Sequence, residues 1–178
     1  MHGMRRFALG ASTCAMLVCG PAVAATELLT RQLDAAEAAL PEVAREGPWL
    51  HVCEGAAETR RCRYEQTARA ENGVEVVLTL LAPSPGDEIR APVALFRTPL
   101  DVMLPPGLAV RFDGGAPGRV EFRACNPGGC LASIVLEGTV RSRVARSNRM
   151  AVQFISQTLE PVTIEFSLAR SAAILSQM

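Results

Sequence analysis

From Trp49 onward, apolar and polar residues alternate with a period of two. Val74, Val76, Leu78 and Leu80 share one face of a run. Leu108, Val110 and Phe112 alternate with Ala109, Arg111 and Asp113, and Val120, Phe122 and Ala124 alternate with Arg119, Glu121 and Arg123. Val162, Ile164 and Phe166 repeat the pattern against Thr163, Glu165 and Ser167. Apolar residues alternating with charged ones mean one buried face and one wet face, the mark of antiparallel sheets. Turn sequences punctuate the runs: Glu71-Asn72-Gly73, Pro83-Ser84-Pro85-Gly86, Leu104-Pro105-Pro106-Gly107 and Asp113-Gly114-Gly115. The spacing predicts a mainly β fold, an antiparallel β-sandwich of about seven to nine strands.

Two segments carry helical spacing instead. Leu136, Val140 and Val144 recur every four residues, with Arg143, Arg146 and Arg149 opposite. Those arginines are a candidate contact for an anionic surface, although a solvated helix face, with arginines favourable near a helix C-terminus, is the more ordinary explanation of such a charge run. Thr26 to Arg45 places Leu29, Leu33, Ala36 and Leu40 at helical spacing, and Pro41 interrupts this helix or begins a second short turn. Its apolar stripe is thin, so it reads as an N-terminal helical leader and not as a docked helix.

The first residues read as an export signal. Arg5 and Arg6 precede the apolar run Phe7 to Val18, and Pro21-Ala22-Val23-Ala24 supplies small residues for cleavage near Ala24. The run falls short of the roughly 20 apolar residues of a membrane span. Cys19 would suit lipid attachment, but the bulky Val18 before it disfavours that processing. The expected organisation is a signal peptide over residues 1–24, a helical leader or linker over 25–47, and one β-sandwich domain over 48–178. The expected location is the periplasm or the exterior.

Charge narrows the partners. The 18 basic residues are all arginine and balance 18 acidic ones; without Arg5 and Arg6, 16 remain against 18, about −2. Nothing here drives the chain onto nucleic acid, and membrane contact would be at most peripheral. Without lysine there is no Schiff-base or lysine general-base chemistry.

Four cysteines follow the signal, in two close pairs: Cys53 with Cys62 and Cys125 with Cys130. They permit three connectivities. In Cys125-Asn126-Pro127-Gly128-Gly129-Cys130 a turn returns the chain on itself, and Cys53 and Cys62 flank a polar loop between two runs. Opposed residues of an antiparallel pair lie within disulfide reach, which favours the local pairs. A long-range Cys62–Cys125 bridge would stabilise more by chain entropy, so proximity and not entropy decides. Thioredoxin-type chemistry needs Cys-x-x-Cys opening a helix, and zinc wants tighter pairs with histidine; no metal is expected.

Common catalytic constellations are missing. His51 is the sole imidazole after the signal, and no Gly-x-Ser-x-Gly elbow accompanies it. Glu65 and Glu121 are the carboxylates that a glycoside-hydrolysing pair would use, if they converge. Gly114-Gly115 and Gly128-Gly129 sit in hairpin turns and not between strand and helix, so they are no phosphate loops. Trp49 is expected in the core or against a disulfide, and eight aromatic residues build no stacking platform.

Trp49-Leu50-His51-Val52-Cys53, the following Cys62, Leu104-Pro105-Pro106-Gly107-Leu108 and Phe122-Arg123-Ala124-Cys125-Asn126-Pro127-Gly128-Gly129-Cys130-Leu131-Ala132 together resemble the bacterial invasion-associated locus B family. Met150 to Ile155 and Phe166-Ser167-Leu168 fit its ending, so the resemblance runs from Pro48 to Ser176. Leu168-Ala169-Arg170 departs from the Gly-Phe that often follows the family's Ser-Leu. The resemblance implies an exported envelope protein of Gram-negative bacteria, in a family named for a member linked to host-cell invasion. It supplies no catalytic residues. The expectation is a non-catalytic protein without cofactor that binds an envelope or host-surface partner; the alternative is a periplasmic carboxylate-dependent hydrolase or carbohydrate-active protein.

Overall fold

The computed structural model describes residues 41–56, 59–84 and 86–178. The expected signal peptide and the part of the expected helical leader before residue 41 lie outside the described residues. The first half of the fold is β1 (Glu42–Glu46), β2 (Trp49–Glu54), β3 (Arg61–Arg69), β4 (Glu75–Leu81), β5 (Val93–Thr98) and β6 (Leu108–Phe112). There follow β7 (Gly118–Val120), β8 (Phe122–Asn126), β9 (Gly129–Val135), α1 (Gly138–Arg146), β10 (Arg149–Ile155), β11 (Pro161–Ser167) and α2 (Ser171–Ser176). They build a seven-stranded sheet, ordered β1-β2-β3-β4-β5-β9-β8, and a four-stranded sheet, ordered β11-β10-β6-β7. All named pairings are antiparallel.

The mainly β, two-sheet reading holds, with eleven strands among the described residues where seven to nine were expected. One added strand corrects the helical reading of the segment ending at Arg45. Glu42–Glu46 is a strand paired with β2, Val43 opposite Val52 and Glu46 opposite Trp49. Pro41 cannot continue a helix. Gly47, at φ 64°, and Pro48 then close a two-residue hairpin that commits the segment to the sheet. The other correction concerns the run from Arg119 to Ala124, which divides into β7 and β8 at Glu121.

The core fills the space between the sheets. Val76, Leu78 and Leu80 of β4, with Phe96 of β5 and Ala132 of β9, face Leu108, Val110, Val152, Ile164 and Phe166 of the smaller sheet, all buried. Polar side chains join the layers at one side. Gln66 is 7% exposed on β3; its Nε2 donates to the Ser167 carbonyl at 2.9 Å, and its Oε1 accepts from the Ser167 N–H at 2.9 Å. One amide thus takes the place of a neighbouring strand for β11. Trp49 is fully buried and its indole N–H donates to the Ala169 carbonyl at 3.0 Å. Tyr64 donates to Gln177 Oε1 at 3.0 Å, and Ser171 Oγ to the Val144 carbonyl at 2.6 Å, which ties α2 to α1.

Both cysteine pairs sit at disulfide distance, with sulfurs 2.07 Å apart in Cys53–Cys62 and 2.08 Å in Cys125–Cys130. Each lies directly across neighbouring strands, β2 with β3 and β8 with β9. They therefore staple the two flanks of the large sheet. Gly129 shows how tight the second flank is. Its φ is 130°, and a Cβ there would lie 2.1 Å from the Thr98 carbonyl oxygen, so no larger residue fits.

Asp113 fixes the passage from α1 into β10. Its carboxylate accepts the Asn148 N–H at 3.0 Å and the Arg149 N–H at 2.9 Å. The bonds from the Arg149 backbone above all, with help from Ser147 and Asn148, hold the carboxyl below its usual range.

Three outcomes are expected. Replacing Cys125 and Cys130 together by serine should lower unfolding stability by about 2–3 kcal/mol, the entropy of so short a loop, measured by denaturant titration. Gln66→Leu should lower it by about 1–2 kcal/mol, because Ser167 loses both partners. Asp113→Asn tolerates the positive φ of 45° and should flatten the acid limb of stability. A carboxyl whose folded pKa is depressed stabilises above its unfolded value, about 3.9, and loses that contribution as pH falls through the folded value. The gap between wild type and variant should therefore close below about pH 4 in thermal melts.

Candidate functional site

The two sheets share one piece of chain. β7 pairs with β6 in the smaller sheet, Leu108 opposite Val120, and one residue later β8 pairs with β9 in the larger sheet. Glu121 is the corner. Strands that switch sheets do so at bends and bulges, and here the register slips between Phe122, opposite Ala132, and Ala124, opposite Leu131. Arg123 is the extra residue. A bulge re-aims its side chain out of the ordinary pleat.

Beside this corner the sheets enclose an open cleft of about 780 Å³. Val110 and Phe112 of β6, Val120 of β7, Ile134 of β9 and Val140 of α1 line it. Phe112, Val120, Ile134 and Val140 are only partly buried, so this end of the core is open to solvent. The volume falls in the range of small-molecule sites, and the apolar lining with a few polar groups matches their usual make-up.

Arg119, Glu121, Arg123 and Arg143 supply the charge at the cleft. Arg119 is occupied: its Nε donates to the Pro106 carbonyl at 3.0 Å, its Nη2 to Pro105 at 2.6 Å, and its Nη1 lies 3.7 Å from Glu121 Oε1. Arg123 and Arg143 make no ion pair or side-chain hydrogen bond among the described residues. Among the described residues, the cleft therefore carries two guanidinium groups without a carboxylate partner beside its apolar lining.

The three arginines anticipated as one cationic face are separated by the structure. Arg143 lines the cleft, Arg146 closes α1 with its Nε donating to the Ser142 carbonyl at 3.4 Å, and Arg149 begins β10, 3.5 Å from Glu165. The helix stops at Arg146: Ser147, the extended C-cap, still donates its N–H to the Arg143 carbonyl at 2.9 Å, and Asp113 then captures the N–H groups of Asn148 and Arg149. Sequence reasoning thus found Arg143 and missed Arg123, which read as an ordinary wet-face residue. No residue type announces a bulge.

The catalytic candidates do not converge. Glu65 on β3 pairs with Arg63 at 2.7 Å, and Arg63 also donates to Glu54 at 3.0 Å. That bond, with the guanidinium charge, holds Glu54 below the usual carboxylate range. Glu121 sits at the corner leading into β8, four strands from β3 in the sheet order. Four strand spacings are on the order of 19 Å. Paired carboxylates of glycosidases stand about 5–9.5 Å apart, so the hydrolase alternative lacks its geometry.

His51 stacks on Tyr64 with ring centroids 4.3 Å apart, and its Nε2 is 3.3 Å from Cys53 Sγ. Burial, then the charge of Glu46, pushes the Tyr64 phenol up. His51, Cys53 and Cys62 place ligand-type atoms within 4.8 Å of one another. Cross-strand adjacency explains that cluster, and a disulfide sulfur is not the thiolate that metals bind.

Comparisons with known proteins agree with this architecture. The family model for the invasion associated locus B (IalB) protein matches residues 49–176. The crystal structure of invasion associated protein B from Bartonella henselae superposes with a TM-score of 0.61 at 15% identity, covering 76% of this chain and 93% of that one. At that identity the likeness speaks for the fold. No curated protein matches the chain in sequence. The matched span takes in Trp49, both cysteine pairs, the sheet-switching corner and the cleft, and the chain belongs to the invasion associated locus B family.

Proposed function

We propose that this chain is an exported, non-catalytic protein of the cell envelope that binds an envelope or host-surface component through the cleft beside β7 and β8. The observation that carries this reading is the cleft itself, an apolar cavity with two guanidinium groups that no described residue pairs with. Unsatisfied charge at the edge of exposed apolar surface marks a binding site more often than a structural one. The two cysteine pairs support an oxidising compartment, where such bridges form and persist. Family membership gives the reading its setting, an invasion-associated family. No described helix is long and apolar enough to cross a membrane.

Binding without chemistry suits the side chains. His51 leans on a disulfide and a tyrosine ring with no serine or threonine among its described partners, and Glu65 is paired to Arg63. The chain expressed with its own leader in a Gram-negative host should appear in the osmotic-shock fraction without a free thiol, by alkylation and mass mapping. His51→Asn combined with Glu65→Gln should leave co-sedimentation with isolated envelopes unchanged. A folded double variant that no longer co-sediments would overturn the reading, as would a cytoplasmic protein with free Cys53 and Cys62.

A further inference from the structure

We infer that the cleft takes a single-chain amphiphile with a carboxylate head, a long-chain fatty carboxylate, whose hydrocarbon lies on the apolar floor and whose head meets Arg123 and Arg143. The inference rests on the binding reading above and names the class of ligand. Charge complementarity selects it. Arg119 and Glu121 neutralise one another at 3.7 Å, so the cleft keeps the two positive charges of Arg123 and Arg143. These come from separate elements, the β8 bulge and α1, and both line the cleft, so a carboxylate there has two guanidinium groups as charge-assisted donors.

Size selects the tail. A methylene occupies about the liquid volume of a water molecule, roughly 30 Å³, so a sixteen-carbon chain needs roughly 480 Å³. The cleft holds about 780 Å³, enough for one such chain and its head but not for the several chains of a bilayer glycolipid. Its lining has the matching make-up: valine, isoleucine and phenylalanine from both sheets, with arginine from β8 and α1. Ile89, 48% exposed, extends the apolar surface at the lip and leaves one end of the tail within reach of solvent or of a membrane surface.

Calorimetric titration of the disulfide-intact protein tests this, with dodecanoate, tetradecanoate, hexadecanoate, hexadecanol and dodecyl phosphate below their aggregation limits. Affinity should rise about threefold to fourfold for each added methylene up to the length that fills the cleft. Hexadecanoate should bind about tenfold more tightly than hexadecanol, and the advantage should vanish in the Arg123→Gln, Arg143→Gln double variant. Both residues are exposed, so the variant should melt with the wild type. Equal affinity for the alcohol and the carboxylate in the wild type would overturn the inference. So would tighter binding of dodecyl phosphate than of dodecanoate, which would assign the cleft to a phosphate head. A dimer in sedimentation that must dissociate before ligand binds would assign it to a second copy. Should no amphiphile bind while envelope co-sedimentation persists and is lost in the arginine variant, the ligand class fails and the binding reading stands. If neither occurs, both fail.

Discussion

One stretch of chain, Gly118 to Asn126, hydrogen-bonds to β6 on one sheet and to β9 on the other, and that double membership governs the molecule. Two sheets joined through a single corner cannot lie flat against each other beside it. The apolar faces diverge, leaving Phe112, Val120 and Ile134 half covered where their counterparts deeper in the sandwich are fully buried. The same bend forces the bulge that turns Arg123 out of the pleat. Cleft and charge thus have one cause. A sandwich with a straight strand in this position would have neither.

Away from the corner, the sheets are held in a fixed relation by groups that are not apolar. Gln66 stands in for a strand against β11, and Trp49 and Tyr64 each send one polar atom to the C-terminal segment. Non-directional burial supplies most of the stabilisation but leaves two sheets free to slide by a residue. Directed bonds from three successive places on β2 and β3 remove that freedom. The cysteine bridges act elsewhere: Cys125–Cys130 holds the outer strand β8 to β9, and Cys53–Cys62 ties β2 to β3, one strand in from the other edge.

Much of this was legible in the sequence because one buried and one wet face impose period two. Val76, Leu78 and Leu80, and Val162, Ile164 and Phe166, are buried as their spacing implied. The cysteine pairs were legible for a related reason, since a short turn brings its flanks together whatever the rest of the chain does. What stayed hidden depends on distant neighbours. Glu42–Glu46 has the composition of a helix and becomes a strand because β2 offers it a partner. Arg149 follows the helical spacing of Arg143 but leaves the helix because Asp113, 36 positions earlier, binds its N–H. The cleft is the hardest case. Each of its residues has an ordinary local explanation, and only the switch of sheets at Glu121 assembles them.

The ties from Trp49, Tyr64 and Gln66 all end between Ser167 and Gln177. A chain threaded N-terminus first through an export channel would carry these early side chains across long before their partners emerged. Until then the indole N–H, the phenol and the amide would have only water as partners, and their native bonds wait for the final stretch. For a chain emerging in that direction, the topology defers the docking of β2 and β3 onto the C-terminal segment to the arrival of its last residues, Ser167 to Gln177.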